Sequence, residues 1–492
     1  MISSLEVING MNYKIVLKII GNVLVYEALL LLLPFAIALT YSGEDANSFL
    51  ITIAITLIVA LVLRNIKIKD KSMYAKEGFL TVGLAWIAIA AFGALPFVIS
   101  GSIPSYIDAF FETVSGFTTT GATILTEVES LPKGILFWRS LTHWIGGMGF
   151  LIFVLALVPT IGSNSIHLLK AESPGPNPGK IVPKIRETAK ILYIIYLVLT
   201  IIQTILLILS GLSVYDSVIH ALGTAGTGGF SNMNLSVGAF NNPAAEWIIT
   251  IFMIIFGVNF SLYFQLIKGN IKGFFKNEEL KYYLLIVLVS IVFIAINIID
   301  FNNGNIGLSI RQSSFQVASI ISTTGYATTD FNLWPSLSKT IIMILMIVGA
   351  MAGSTAGGIK TIRLVIMLKA VRRGIDKILH PKRIQSVKID GKVVDEETIS
   401  GVLLFIAAYS VIYLIALFIV SFNGFDLVTN ITSVLTAISN VGPGLEMVGP
   451  MGNFSNFSKL SKIVLSFCML AGRLEIYPML IMFSKSIWKR TY

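Results

Sequence analysis

Four short strings of threonine, glycine and asparagine are the residues in this 492-residue chain best suited to handling a cation. They are Thr118-Thr119-Thr120-Gly121-Ala122, Gly226-Thr227-Gly228-Gly229-Phe230, Thr323-Thr324-Gly325-Tyr326-Ala327 and Asn440-Val441-Gly442-Pro443-Gly444. Aligned on Gly121, Gly228, Gly325 and Gly442, they recur 107, 97 and 117 residues apart. Glycine permits positive φ and removes the side chain, so backbone carbonyls can be aimed at an ion. Rings of such carbonyls replace the hydration shell of potassium. One Thr-Gly string alone reads better as helix packing; four in register are most simply explained as lining one path. The candidate ion-binding residues are Thr119, Thr120, Gly121, Thr227, Gly228, Thr324, Gly325, Asn440, Val441 and Gly442. The fourth string carries Asn440 and Val441 where the others have hydroxyls, and Pro443 follows its glycine, so fourfold symmetry is imperfect.

Each string ends a segment of about 12 residues that lies between two apolar helices. The chain is 55% hydrophobic and 13% charged with a mean hydropathy of +0.83. A soluble domain carries roughly 25% charged residues. Residues 23–41, 49–63, 78–99, 191–209 and 403–422 are apolar runs with at most one charged side chain. A spanning helix needs roughly 20. Irregular backbone is tolerated at membrane depth only where it is buried in protein or lines water. The expected fold is therefore an all-α polytopic membrane protein. It has four parallel helix–pore loop–helix repeats around a central pore, plus an N-terminal two-helix hairpin. Ten spanning and four re-entrant helices are expected. The divisions are 1–72 for the hairpin, then 73–175, 176–275, 276–380 and 381–492 for the repeats. Each short helix presents its partially negative C-terminus to the centre, which favours a cation. Asp216 and Asp426 lie near the starts of two of them.

The formal charge of +10 raises nucleic acid as a partner, but 29 of the 36 basic residues fall into clusters between apolar runs. Basic loops of that kind mark the cytoplasmic face, so no nucleic-acid partner is expected. An even number of crossings between clusters places both termini in the cytoplasm of a multi-pass protein of the cytoplasmic cell membrane. No signal peptide is evident, and the single Cys468 supports no disulfide framework. No nucleophile–base pair, metal-ligand spacing or cofactor motif is present, so the chain reads as a non-enzyme without a bound cofactor. His143, His167, His220 and His380 are scattered, and His143 reads as a packed helix residue.

The second helix of the third repeat contains Gly349, Gly353, Ser354, Thr355, Gly357 and Gly358. Each interior glycine costs a helix roughly 1 kcal/mol against alanine. A broken helix with a flexible loop beneath the strings is expected. Residues 353–361 miss the spacing of a phosphate-binding loop, and no strand precedes them. Arg473 lies in the last apolar segment, where an arginine usually faces a cavity or partner; two residues apart on a helix, Glu475 does not face it. Glu112 reads as structural support behind the first string. Residues 360–392 form the longest internal polar segment and a candidate docking surface.

Several of these stretches resemble the TrkH/TrkG/KtrB potassium-uptake family. They are Phe111-Glu112-Thr113-Val114-Ser115-Gly116-Phe117 with the first string, and Arg139-Ser140-Leu141-Thr142-His143-Trp144-Ile145-Gly146-Gly147-Met148-Gly149. Residues 353–363 and Gly472-Arg473-Leu474-Glu475 match two further signatures. The extra hairpin is more similar to the TrkH/TrkG branch. The resemblance implies potassium uptake through a selectivity filter, with residues 349–358 as an intramembrane gate and Arg473 facing the pathway below the filter. It also implies a homodimer with one pore per protomer, seated on TrkA/KtrA-like cytosolic nucleotide-binding regulatory subunits. Four filter glycines resemble the potassium-selective pattern. Passive flux and proton- or sodium-coupled symport are both compatible with these residues. A secondary transporter for another cation or small solute is the alternative, since broken helices occur there too.

Overall fold

The computed structural model describes residues 11–41, 43–68, 73–149, 185–383 and 385–484. The N-terminal unit is α1 (Tyr13–Leu30), α2 (Leu32–Tyr41) and α3 (Ala46–Arg64). Pro34 explains why α1 and α2 are separate, since a proline clashes with the carbonyl four residues earlier and removes a helix donor.

One order of elements then returns four times. The first repeat is α4 (Ala75–Gly93), α5 (Leu95–Ile99), a buried short helix α6 (Tyr106–Phe117), its string and α7 (Lys133–Gly147). Residues 150–184, with most of the basic cluster 170–190, lie outside the described residues. The second is α8 (Ile185–Leu209), α9 (Val214–Gly226), α10 (Pro243–Phe256) and α11 (Phe260–Ile267), followed by α12 (Ile271–Lys276). The third is α13 (Glu278–Asn297), α14 (Ile306–Ile321), α15 (Ser336–Ile347), strands β1 (Val348–Gly349) and β2 (Ile359–Lys360), and α16 (Thr361–Leu379). A hairpin of β3 (Lys388–Ile389) and β4 (Lys392–Val393) leads to the fourth: α17 (Glu396–Val420), α18 (Leu427–Ser439), α19 (Lys459–Arg473) and α20 (Tyr477–Ile481).

Against the ten expected spans, six helical stretches among the described residues are long and apolar enough to cross a membrane. They become seven if the bent pair α10–α11 counts as one. The difference lies in the second helix of each repeat. The α10–α11 pair turns by 92° between Phe256 and Phe260. Its sister α15 stops at Ile347, and α7 and α19 are 15 residues each. First helices, by contrast, are long and lipid-facing: α13 exposes Leu285, Leu288 and Phe293, and α17 exposes Leu404, Leu414 and Phe418.

The four short helices share a start signal. Ser105, Ser213, Asn305 and Asp426 cap α6, α9, α14 and α18, each side chain accepting a backbone N–H three residues on. Such a cap satisfies one of the orphan donors of the first turn and is worth about 1 kcal/mol. Asp108 and Asp216 add acidic charge to two of these turns, where the helix dipole favours it.

Candidate ion-conduction site

Each string leaves its short helix through a residue forced into the left-handed region. Thr119, Thr227 and Thr323 have φ of 56° and Asn440 of 55°. A β-branched residue there is a genuine outlier and costs on the order of 1–3 kcal/mol, so surrounding structure must hold it. Two residues later stands a glycine at positive φ: Gly121 (80°), Gly229 (79°), Gly325 (82°) and Gly442 (94°). This corrects the register read from the sequence in the second string. Gly229 matches the other three glycines, and Gly228 occupies the middle place held elsewhere by Thr120, Thr324 and Val441. Thr323, absent from the residues picked out above, belongs with Thr119, Thr227 and Asn440.

The glycines are needed because the strings touch. A Cβ on Gly121 would fall less than 3.0 Å from the carbonyl oxygen of Gly228. The same holds for Gly229 against Thr324, Gly325 against Val441, and Gly442 against Thr120. These contacts run first to second, second to third, third to fourth and fourth to first, so the strings close a ring. Side chains reinforce it: Asn440 Nδ2 donates to Thr120 Oγ1 at 3.0 Å and to the Met469 carbonyl at 2.9 Å. Thr119 Oγ1 is buried and makes no hydrogen bond within the protein. On the far side of the glycines lies a cavity of about 230 Å³ lined by Gly121, Thr123, Gly325, Gly442 and Phe454 among others.

Two buried side chains hold the ring from behind. Glu112 on α6 pairs with Arg139 on α7 at 2.8 Å and accepts from the Thr123 hydroxyl and the Ile124 N–H. Arg139 also donates to the Ser231 carbonyl at 3.1 Å and stacks on the Phe230 ring. The pair thus ties the outer ends of the first two strings, and Glu112 has the supporting role expected of it. Breaking a buried pair by removing one partner costs about 3–5 kcal/mol. His143 does more than pack: Nδ1 bonds the Gly116 carbonyl at 2.8 Å, while Phe230 N–H donates to Nε2 at 3.1 Å.

Beneath the ring, the break expected in the third repeat is present. β1 and β2 pair in parallel, Val348 with Ile359 and Gly349 with Lys360, and residues 350–358 loop out between them. Gly357 N–H donates to Thr323 Oγ1 at 2.7 Å, and a Cβ on Gly357 would fall less than 3.0 Å from the Ser439 carbonyl. The loop therefore abuts the inner ends of the third and fourth strings. It also bonds the bend between α10 and α11: Met351 N–H to Gly257 O at 3.1 Å and Phe260 N–H to Gly353 O at 3.0 Å. Gly349, Gly353, Ser354, Thr355, Gly357 and Gly358 all lie in or beside this loop.

Comparison with known proteins settles the family. The family described as TrkH, cation transport protein, matches residues 45–490. The chain belongs to the TrkH family. It is 33% identical over 485 residues to the Trk system potassium uptake protein TrkH of Escherichia coli K12, covering 97% of this chain and 100% of that one. To TrkH of Halomonas elongata it is 31% identical, with 98% and 100% covered. The crystal structure of the potassium transporter TrkH from Vibrio parahaemolyticus superposes with a TM-score of 0.87 at 29% identity, covering 97% of this chain and 100% of that one. The chain is thus a multi-pass membrane transporter rather than an enzyme.

In this TrkH-family chain Arg473 does reach the loop. Its Nη1 donates to the Thr355 carbonyl at 2.7 Å, and Nη2 to the Gly146 and Gly147 carbonyls at the end of α7, at 2.5 Å each. Glu475 turns elsewhere and pairs with Arg363, but not through helical spacing: α19 ends at Arg473, and Glu475 lies beyond it with φ of 59°. Sequence reasoning did not single out Lys360, buried with its ammonium on the Ala356 carbonyl. Nor did it find the α10–α11 bend, whose signals are Gly257 and the N-cap Asn259. A signal for Gly229 did exist. Sixteen residues separate cap from glycine in Ser105–Gly121, Ser213–Gly229 and Asp426–Gly442. In the third repeat the gap is 20, because α14 is 16 residues long.

Proposed function

We propose that this protein takes up potassium across the cytoplasmic membrane, through the ring of strings, under control of the loop at residues 350–358. The observation carrying this reading is the closed cycle of glycine-to-carbonyl contacts, since a cycle of backbone acceptors suits a dehydrated monovalent cation. Potassium is cargo here, and no resident cofactor is required. Uptake of radiolabelled rubidium into proteoliposomes, competed by potassium but not sodium, is the expected result; absence of uptake by folded protein overturns the reading.

Arg473 gives a sharper test. A fixed positive charge in a poorly screened site opposes cations by a few kcal/mol, and the arginine also bonds the Thr355 carbonyl. Arg473→Ala is expected to raise rubidium influx about tenfold, the factor corresponding to ~1.4 kcal/mol. Wild-type influx in correctly folded protein would make the arginine purely structural.

Both termini lie in the cytoplasm in this reading, and the protein works as a homodimer with one pore per protomer. The face of α16 bearing Leu368, Val371, Ile375 and Ile378 is exposed, which supports a second copy lying against it. A cytosolic nucleotide-binding regulatory subunit docks on the basic end of α16 and the residues that follow it. Arg373 is occupied by Glu396, whereas Arg372, Lys382 and Arg383 are exposed. Reversing those three charges is expected to abolish copurification of the regulatory subunit and the nucleotide response while leaving ion selectivity intact. Retained copurification would move the dock to residues 170–190.

A further inference from the structure

The loop beneath the ring is fastened to a residue that no part of the reading above uses. Glu279, in the first turn of α13, is buried. Its Oε1 accepts from the Ala352 N–H at 2.8 Å, inside the loop, and from the Ile362 N–H at 3.1 Å, in the first turn of α16. The first N–H groups of a helix have no partner within it, and a carboxylate near a helix N-terminus is favoured by the dipole. One oxygen therefore pins three elements together: α13, the loop and the start of α16.

The residues just before Glu279 are held from the cytosolic side. Asp390 sits at the tip of the β3–β4 hairpin with φ of 50°, followed by Gly391 at 78°, the left-handed pair that a two-residue hairpin turn requires. Asp390 accepts from the Glu278 N–H at 2.7 Å and from Asn277 Nδ2 at 3.0 Å, and its own N–H donates to Glu278 at 3.2 Å. Lys369 on α16 pairs with Glu278 and donates to the Lys388 carbonyl at 2.8 Å. Hydrogen bonds thus tie an exposed hairpin tip to Asn277 and Glu278, the backbone carries the link on to Glu279, and Glu279 bonds the loop under the ring.

We infer that Glu279 is the positioning residue that holds the loop in its blocking place, and that the Asp390 hairpin tip sets this hold. The inference rests on the loop being the gate. Losing the acceptor leaves the Ala352 N–H without its partner, while a rigid shift of the hairpin moves α13 and the acceptor together. A cytosolic protein gripping the hairpin would therefore act on the gate without touching it.

The test measures rubidium influx and the potassium-to-sodium ratio in proteoliposomes of the full chain without partner protein. Glu279→Ala is expected to raise influx about tenfold, equivalent to ~1.4 kcal/mol, with the ion ratio unchanged. Glu279→Gln, which keeps a carbonyl acceptor, should restore influx to within about twofold of wild type on the same scale. Asp390→Ala should raise influx by a smaller factor and add nothing to Glu279→Ala in the double variant. This exposed hairpin substitution carries the test if Glu279→Ala fails to accumulate. Wild-type influx in Glu279→Ala, equal influx in the Ala and Gln variants, or additivity in the double variant overturns the inference. A control shortened within residues 353–358 separates the two readings. Unchanged influx there removes the gate itself, whereas raised influx there with none in Glu279→Ala removes only the anchor.

Discussion

Gly121→Ser is expected to lower the potassium-over-sodium permeability ratio of reconstituted protein by about tenfold or more, a cost of at least ~1.4 kcal/mol in selectivity. Two effects act together. Gly121 has φ of 80°, where a residue with a Cβ is strained. Its Cβ would also press into the Gly228 carbonyl, displacing one of four acceptors in the cycle. Gly101 separates these effects. It too has positive φ, 76°, but nothing lies within 4 Å of its would-be Cβ. Gly101→Ala should therefore strain the chain without changing ion preference. If both variants shift the ratio equally, or neither does, the ring is not the selective element.

The second large effect belongs to the loop at residues 350–358. Replacing Gly357 and Gly358 with alanine is expected to raise basal rubidium influx tenfold or more, since each ~1.4 kcal/mol lost from the closed arrangement shifts the closed-to-open ratio tenfold. A methyl on Gly357 meets the Ser439 carbonyl and the Asn440 Cβ inside 3.0 Å, and Gly358 holds φ of 68°. The loop must then withdraw from the inner ends of the third and fourth strings and give up the bond from Gly357 N–H to Thr323 Oγ1. Selectivity should survive, because the four carbonyls that close the ring are untouched. Influx at wild-type level would reduce the segment to a packing kink.

The features readable from sequence were those written in local composition. Apolar length gave the lipid-facing first helices, glycine density gave the break after Ile347, and repetition of the strings gave their shared backbone geometry. The helical-spacing argument for Arg473 and Glu475 does not apply, because α19 ends at Arg473 and Glu475 lies past it. What stayed hidden depends on partners far away in the chain. Asn440 meets Thr120 across 320 residues, and Glu112 meets Arg139 across 27. Glu279 lies 73 residues from Ala352. The string Gly226-Thr227-Gly228-Gly229 offers two adjacent glycines, and aligning the strings on their glycines alone does not choose between them; the spacing from the helix cap does. Thr323 carries no local sign of its left-handed conformation, since its neighbours impose it.

The closure of the ring by its last member against its first has a consequence for biogenesis. Gly442 must lie against Thr120, and Lys462 on α19 pairs with Asp108 at the start of α6, so the final repeat completes a wall that the first began. During synthesis the first three strings enter the bilayer with one side of the path missing, and late, sequence-distant contacts of this kind form slowly. Loss of the C-terminal repeat therefore opens the ring itself rather than removing one quarter of it. The order of the chain thus ties closure of the ring to the end of translation.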